Sequence, residues 1–519
     1  MNNLYDLVTM SPHILITNAN IFGLEDYDSI LIRDGVIRLF GNEDRILKEC
    51  RGCHRVFDVD QRIVIPGLAD AHMHLLSYAL TKTRLDLRGV SSIEELKDKL
   101  RKFKGGISGW ILGRSWDQEL FDEKRMPTRY DLDEVIKDKP VFLIRVCGHV
   151  GVANSKALEL AGIDKDTPDP IGGVIGRDED GNPNGLLFEN ALEMMYRVIP
   201  EPSYYEKREA IISAINEALS YGLTELHLMS VDKNELEILF DDHISSLIRL
   251  RVYLRPNIAF QEGIDKRIHN FLRIEGIKVF MDGSFGARTA LLRDSYSDSP
   301  KSRGQYILDY DGYSSIVSKA VNHGFKVATH AIGDAAVQTV IDYVGKNPEY
   351  KPFIRIEHAS LTPPDLLSQL WSHQIPISVQ PHFIITDWWI VDRLGSRARW
   401  VYAYRSMLER NIPIAGSSDA PVEPLNPWTG VYAAVDRGRS KNLPIWNVSS
   451  GEALDINDAI RVYINGKIMS GTFSRSRFYV GMPADLVVLD TRKLRVESLD
   501  NIRAYITIVG GFVRYSRYA

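Results

Sequence analysis

The sequence predicts an α/β protein whose centre is a (β/α)8 barrel of the TIM type, and two observations carry this prediction. From Gly222 onward, short apolar runs rich in β-branched residues alternate with longer segments of helical periodicity, a rhythm typical of a parallel sheet covered by helices. One earlier run brings the number of predicted strands to eight, which is the number that closes such a barrel. The predicted strands are residues 63–71, 223–228, 252–258, 277–281, 326–330, 353–358, 376–380 and 412–416.

The two ends of the chain predict a second, smaller β-structure. Before residue 62, short apolar runs flank Asp34-Gly35, a hairpin-turn signal, and the C-terminal runs 484–489 and 506–513 have the same texture. We therefore predict a composite β-sandwich from residues 1–62 and 470–519, and a barrel from residues 63–80 and 204–469. Residues 81–203 fit neither pattern, and we predict that they form an α/β insertion after the first barrel strand that shapes the substrate pocket.

Composition and charge argue against several classes of partner. The 63 Lys and Arg against 68 Asp and Glu leave a formal net charge of -5, which gives no electrostatic reason to expect nucleic acid or an anionic membrane. No long apolar stretch and no export pattern is present, so we expect a cytoplasmic protein that acts on a small molecule. The sequence leaves the oligomeric state open, a homo-oligomer included.

The three cysteines cannot form a disulfide framework in a chain of 519 residues. Cys50, Cys53 and His54 do spell a haem c attachment motif, but such attachment requires export, for which the sequence has no signal. We interpret the pair as a coincidence, or at most as a local disulfide or thiol pair.

Five side chains of metal-ligand type end or follow four of the predicted strands. The first two form a His-x-His pair, and residues two apart in an extended chain point the same way, so both imidazoles can reach one ion. A capped or hydrogen-bonded strand end is the plainer interpretation of any single one. Because barrel enzymes place their chemistry at the carboxyl ends of the strands, the five together predict a metal site. They are His72, His74, His330, His358 and Asp419.

Lys278 is the sixth candidate, because it lies inside the apolar run 276–281, where an ammonium group is costly unless it is paired or neutralised. One interpretation is an ion pair with Asp282. The other is chemical: a desolvated lysine has a depressed pKa, and addition of carbon dioxide to its free amine gives a carbamate, an anionic ligand able to bridge two metal ions.

At this point the pattern resembles the amidohydrolase superfamily, and within it the YtcJ-like, amidohydrolase-3 branch, over nearly the whole chain. Together the similar segments are specific, although none is so alone. They are PGLADAHMH at 66–74, KVFMDGS at 278–284, THAIGDAA at 329–336, IEHA at 356–359 and GSSDAP at 416–421.

The resemblance implies a barrel with a flanking β-sandwich and one or two divalent ions, usually zinc, with carbamylation of Lys278 where two ions bind. His72 and His74 are expected to hold the first ion and His330 and His358 the second, with the modified Lys278 bridging them. Metal-bound hydroxide is then the nucleophile, and Asp419 serves as general base and then general acid. The expected reaction is hydrolysis of a carbon–nitrogen bond in an amide or N-acyl compound that is not a peptide.

Other residues are candidates for the substrate pocket. His149, in the segment 145–155, resembles a His-containing stretch of the same branch and is expected either to touch the substrate or to be structural. Arg288 follows a strand and could bind a carboxylate, or pack at the surface. Glu225 and His227 share one strand face and rank below the six ligand candidates.

Three alternatives to amide hydrolysis stay open at the level of sequence. The same activated water serves lactone, ester and phosphotriester bonds. Nucleobase deaminases use this scaffold with one metal and usually carry Glu three residues after the fifth-strand His, where this chain has Gly333. Some relatives have lost their ligands and act as non-catalytic scaffold proteins, but all six ligand-type residues are present here.

Overall fold

A computed structural model describes residues 13–50, 53, 55–145, 150–261 and 269–518. Its central sheet has eight parallel strands that neighbour one another in the order of the chain. The loop after the last strand meets the first strand, since Asp419 N donates to His72 O (2.7 Å) and His74 N donates to Ala420 O (2.8 Å). The predicted (β/α)8 barrel is therefore confirmed. Its strands are Leu68–Met73, Leu223–Val231, Arg249–Leu254, Leu272–Phe280, Lys326–Ala331, Ile354–His358, Ile377–Val379 and Ile414–Gly416.

The predicted strand at residues 63–71 is wrong in one respect, because it is two strands in two different sheets. Ile63–Pro66 pairs with Leu486–Leu489, whereas Leu68–Met73 pairs with the second barrel strand. Between them stands Gly67, where an added Cβ would lie 2.2 Å from Thr224 Oγ1. Only glycine lets the chain pass this close to the second barrel strand as it leaves one sheet for the other.

The two ends of the chain share a five-stranded sheet, and a four-stranded sheet from the N-terminal part accompanies it, as the composite β-sandwich predicts. Asp34 and Gly35 both have positive φ (53° and 72°) and join two antiparallel strands, which fits the predicted hairpin. Cys50 and Cys53 form a disulfide. The shared sheet contains Asn20–Ile21, Ile63–Pro66, Leu486–Leu489, Ala504–Val509 and Phe512–Ser516; the other contains Ile14–Thr17, Ser29–Arg33, Val36–Gly41 and Arg55–Asp58.

Some of the helices that follow barrel strands begin at polar caps and bury one face. Asp309, for example, accepts a hydrogen bond from Gly312 N at the start of its helix, and Asp455 does the same for Asp458 N. Among the described residues, no helix combines the length and apolar character needed to cross a bilayer. The α-helices before residue 75 and after residue 203 are Glu43–Glu49, Tyr204–Ser220, Lys233–Leu239, Asp242–Leu247, Pro256–Ala259, Tyr310–Asn322, Asp334–Lys346, Pro364–His373, Phe383–Thr386, Ile390–Leu394, Tyr404–Glu409, Pro427–Asp436, Pro444–Ser449 and Ile456–Met469. Short 3-10 helices lie at Pro348–Phe353, Gly395–Trp400, Ser450–Glu452 and Val496–Asn501.

The chain divides into two compact units, one formed by the residues up to Leu75 and from Ile215 onward, the other by Leu76–Ala214. The second unit has its own six-stranded mixed sheet with apolar clusters around Trp116 and Phe142. Its strands are Leu85–Asp86, Ile111–Trp116, Val141–Arg145, Val150–Ala153, Gly173–Arg177 and Pro183–Glu189, and its helices are Leu75–Thr81, Ile93–Lys102, Arg129–Asp133, Ser155–Leu160 and Leu192–Tyr196.

Candidate functional site

All six predicted ligand residues lie at the carboxyl ends of barrel strands. His72, Lys278, His330 and His358 are within the last residues of the first, fourth, fifth and sixth strands, and His74 and Asp419 follow the first and eighth. In a parallel barrel these ends meet at one mouth, so residues from distant parts of the chain come together there.

The distances confirm that the six side chains form one cluster. Ligand atoms of His72, His358 and Asp419 lie within 4.8 Å of one another. Asp419 Oδ1 is 3.3 Å from Nε2 of both His72 and His74. The ring centres of His330 and His358 are 4.4 Å apart, and Lys278 Nζ lies 3.4 Å from His72 Nε2. This spacing is close enough for a small cation to be shared.

Each of the four histidines has one ring nitrogen bonded to an oxygen acceptor. His72 Nδ1 lies 2.6 Å from Glu357 Oε2 and His74 Nδ1 lies 3.1 Å from Met229 O. The acceptors of the other two are Gln380 Oε1, 2.7 Å from His358 Nδ1, and Gly283 O, 2.9 Å from His330 Nε2.

These acceptors fix the tautomers of the rings. An oxygen acceptor requires a proton on the nitrogen it contacts, so the opposite nitrogen of a neutral ring carries a lone pair. Those opposite nitrogens of His72 and His74 face Asp419, and those of His330 and His358 have no hydrogen-bond partner among the described residues. Four oriented lone pairs beside a carboxylate are the donor set of a divalent metal site, and the residues present therefore fit such an ion.

Burial keeps three of the four imidazoles neutral. Desolvation lowers the pKa of His72 to about 4 and that of His330 to about 3, and it holds the pKa of His358 well below its ordinary value. Burial acts against ionisation of Asp419, but the neighbouring His72 and His74 outweigh it and hold the pKa of that carboxyl below its usual range. At neutral pH these three imidazoles are therefore neutral and Asp419 is a carboxylate, the protonation states that metal binding requires.

Two of these residues stand on strained backbone. His358 (φ 77°) and Asp419 (φ 56°) both occupy the left-handed region, which is unfavourable for residues other than glycine. Such conformations cost on the order of 1–3 kcal/mol each and persist where the surroundings impose them, typically at functional sites. For Asp419 the imposing contact is the hydrogen bond from its own N–H to His72 O.

Asp70 links the first and eighth strands just behind the cluster. Its carboxylate accepts hydrogen bonds from His72 N (3.1 Å), Ser418 N (3.1 Å) and Ser418 Oγ (2.5 Å). This residue therefore positions both His72 and the segment that carries Asp419. Sequence reasoning included Asp70 in a motif but gave it no role, and the same holds for Glu357.

Lys278 is 2% exposed, and its ion pair with Asp282, one of the two sequence interpretations, is not formed. Asp282 instead accepts hydrogen bonds from Leu291 N, Ile332 N and Gly333 N. The contacts of the Lys278 amine are His72 Nε2 and the ring of Phe280, whose centre is 5.1 Å away. Burial lowers the pKa of Lys278 to about 8, so part of the amine is free at neutral pH.

Gly333 bears on the deaminase alternative. Its N–H is held by Asp282, and a Cβ at this position would lie 1.9 Å from Leu291 O. A glutamate at this position, as deaminases of this scaffold usually carry, would therefore collide with main chain. The structure has no room here for the deaminase residue.

The structure places the residues predicted for the substrate pocket in different surroundings. Arg288 forms an ion pair with Asp298, with its Nη2 2.8 Å from Oδ2, and Arg393 contacts the same carboxylate oxygen. His149 lies outside the described residues. His227 uses both ring nitrogens, one toward Glu225 (3.0 Å) and one toward Arg355 (2.9 Å), and so has none left for a metal.

Comparison with known proteins places these features in a family. The model of the amidohydrolase family Amidohydro_3 matches residues 55–515. The putative amidohydrolase YtcJ of Bacillus subtilis is 30% identical over 511 residues, covering 94% of this chain and 96% of that protein. An N-substituted formamide deformylase of Arthrobacter pascens is 25% identical over 546 residues, covering 98% of this chain and 99% of that protein.

A solved structure gives the same picture. The crystal structure of an uncharacterized metal-dependent hydrolase from Pyrococcus horikoshii has a TM-score of 0.75 and 33% sequence identity, and the match covers 92% of this chain and 97% of that one.

Proposed function

Because the chain belongs to the amidohydrolase family and is a hydrolase of that family, we propose that it cleaves the carbon–nitrogen bond of a non-peptide amide or N-acyl compound with the help of divalent metal. The observation that carries this proposal is the tautomer pattern of the four histidines, each fixed by an oxygen acceptor with its second nitrogen available for an ion.

The donor set favours zinc, since imidazole nitrogens and a carboxylate oxygen are typical zinc ligands. We propose His72 and His74 as ligands of one ion and His330 and His358 as ligands of a second, with Asp419 beside the first pair. Lys278 takes part as a carbamate formed with carbon dioxide, because its amine is buried, partly uncharged and 3.4 Å from His72 Nε2. A carbamate replaces a costly buried cation with an anion that two metal ions would neutralise.

A divalent ion held by these residues would supply Lewis-acid activation of water and of the substrate carbonyl. Asp419 takes the proton from the attacking water on its carboxylate and returns it to the leaving nitrogen, which departs as a neutral amine. The pKa of Asp419 is held below its usual range before metal binds, so the carboxylate is ionised at neutral pH. Glu357, through its contact with His72 Nδ1, holds that imidazole in the orientation the site needs.

Carbon–nitrogen cleavage is supported by the relative whose name states that reaction class, the N-substituted formamide deformylase, which matches nearly the full length. Among reactions at carbon–nitrogen bonds, Gly333 favours amide hydrolysis over deamination, because a side chain at this position would collide with Leu291 O. Ester, lactone and phosphotriester hydrolysis have no comparable observation in their favour and enter the experiment as competing substrates.

The test is a hydrolysis assay of the purified protein with added zinc and bicarbonate, on N-formyl compounds, N-acyl amino acids, lactones and phosphotriesters. We expect turnover of at least one amide class, its loss after chelation, and its return with zinc. Turnover of lactones or phosphotriesters with none of any amide would overturn the choice of bond. The variant His227→Gln is the control, since that histidine lies in the barrel but has no nitrogen available for metal.

A further inference from the structure

An apolar cavity opens directly beside the metal-ligand cluster. It has a volume of about 610 Å³, and His74 and Lys278, two of the six cluster residues, are among the residues that line it. Its size falls in the range of ~300–1,000 Å³ that is usual for small-molecule sites. Six apolar side chains line it: Pro256, Val279, Phe280, Ile307, Leu308 and Ile316.

Two of these side chains are exposed despite their size and apolar character. Phe280 is 41% exposed and Ile307 is 59% exposed, and Phe280 lies only two residues after Lys278 on the same strand. Large exposed apolar side chains that gather in a concave site mark a surface that a ligand covers. The apolar cavity therefore has a surface that binding of an apolar group would remove from water.

Among the described residues that line the cavity, Arg255 is the one arginine, and it does not make the site anion-selective. Arg255 Nε donates to Ser230 O (3.0 Å), and its Nη2 lies 3.7 Å from Asp232 Oδ2. The side chain is also 56% exposed, so solvent screens the charge that Asp232 leaves uncompensated. Arg255 therefore adds little to recognition, and apolar side chains are the largest group among the described lining residues.

We propose that the apolar cavity binds a neutral, extended apolar substituent of the substrate, so that the preferred substrates are amides with a hydrocarbon or aryl group on the acyl or the nitrogen side. This inference rests on the proposed function and narrows it to a substrate class. It also separates the protein from hydrolases that select small polar or anionic amides.

The experiment uses two homologous series on the purified enzyme with zinc and bicarbonate: N-alkylformamides of increasing alkyl length, and N-acyl derivatives of one small neutral amine with increasing acyl length. In one of the two series kcat/KM should rise about fourfold per added methylene, the factor that corresponds to ~0.8 kcal/mol per buried CH2 group. A flat or falling profile in both series, with measurable turnover, would overturn the inference while leaving the proposed function intact.

Binding without chemistry tests the cavity separately. Neutral 1-alkanols from butanol to octanol are titrated into the same enzyme by calorimetry, and their affinity should rise with chain length. If no amide is turned over but the alkanols show this trend, the proposed bond is wrong and the apolar cavity stands. If alkanol affinity is independent of length, the cavity assignment fails whatever the reaction.

Three variants locate the effect. Ile307→Ser should reduce kcat/KM for the longest substrate about tenfold and leave the shortest unchanged, since full burial of such a side chain is worth ~1.5–3 kcal/mol and this one is half exposed. The matched control Ile468→Ser alters an isoleucine that is 38% exposed in the helix Ile456–Met469, and it should change neither. Arg255→Gln should not change how kcat/KM depends on chain length in the neutral series; loss of that dependence would contradict recognition by apolar contact.

Discussion

Lys278 and Lys467 are two buried lysines of the same barrel unit, and the difference between them separates a chemical site from a structural one. Lys467 is fully buried, and its ammonium lies 2.5 Å from Asp485 Oδ2, a carboxylate that Arg249 also contacts at 2.7 Å. Lys278 is 2% exposed, and its amine contacts His72 Nε2 and the Phe280 ring instead of a carboxylate. Burial lowers the pKa of both, yet only Lys467 has an ion pair that keeps its charge in place.

The same contrast holds for the glutamates around them. Glu357 meets the cluster through His72, whereas Glu225 is held by Arg251, His227 and Thr472. Both carboxylates are fully buried and have pKa values well below the usual range, because nearby arginines outweigh the cost of burial. Burial and residue type therefore do not distinguish a ligand-supporting group from a structural one. The partner does.

The largest expected effect is that of Lys278→Ala. We expect turnover to fall to background, a loss on the order of 10³-fold or more, because an interaction with the reacting centre is removed. Zinc content measured by elemental mass spectrometry should fall at the same time, while the unfolding transition stays close to that of the native chain. Full activity in this variant would contradict the bridging role.

Lys467→Met should lower stability and leave activity unchanged, the opposite of the result expected for Lys278→Ala. Removal of the ammonium leaves the buried Asp485 carboxylate with Arg249 and the Gly510 N–H as partners, and breaking a buried pair typically costs ~3–5 kcal/mol. We expect a decrease of about 3 kcal/mol in the free energy of unfolding, measured by urea titration, since Arg249 retains part of the interaction. The kcat/KM of the folded fraction should be unchanged. A selective loss of zinc in this variant would contradict the assignment of Lys467 as structural and Lys278 as part of the metal site.

Glu357→Gln and Glu225→Gln form a matched pair of isosteric substitutions. Loss of the carboxylate behind a metal-bound histidine typically costs 10–100-fold in metal affinity, and we expect a weakening of about that size for Glu357→Gln. Competition with a zinc chelator measures it. Glu225→Gln should leave zinc affinity within about twofold. Equal effects of the two substitutions would show that His72 does not depend on its contact with Glu357.

The smallest expected effect is a pH dependence of carbamate formation. The pKa of Lys278 is depressed to about 8, so below that pH the ammonium form predominates and cannot react with carbon dioxide. At constant dissolved carbon dioxide, the rate of formation should rise about tenfold per pH unit up to about pH 8 and level off above it. Labelled bicarbonate and carbon-13 NMR report the carbamate, and Lys278→Ala is the control that should lack the signal.

The sequence predicted the barrel and the identity of the clustered residues because both depend on local patterns. Alternation of apolar runs and helical segments marks the strands, and ligand-type side chains at their ends mark the mouth. The division of residues 63–71 into two strands was not predictable in this way, because two successive apolar runs have the same periodicity whether they share a sheet or not. The close approach of Gly67 to Thr224 appears only in three dimensions.

The hydrogen-bond partners of the cluster residues could not be predicted from the sequence either. Glu357 lies 285 positions from His72, and no local pattern joins them. The ion pair of Lys278 with Asp282, one of the two interpretations, relied on strand alternation, but the strand ends at Phe280 and Asp282 belongs to the loop network that begins there. Sequence patterns thus predict which residues reach the mouth, whereas the partners of those residues follow from tertiary contacts.

The central claim is that the four histidines, Asp419 and a carbamylated Lys278 hold divalent metal. Anomalous diffraction at the zinc edge, from crystals grown with zinc and bicarbonate, tests it most directly. We predict a zinc peak about 2.0–2.1 Å from Nε2 of His72 and of His74, and carbamate density on Lys278 Nζ. Zinc bound elsewhere, with these nitrogens in contact with solvent alone, would contradict the claim.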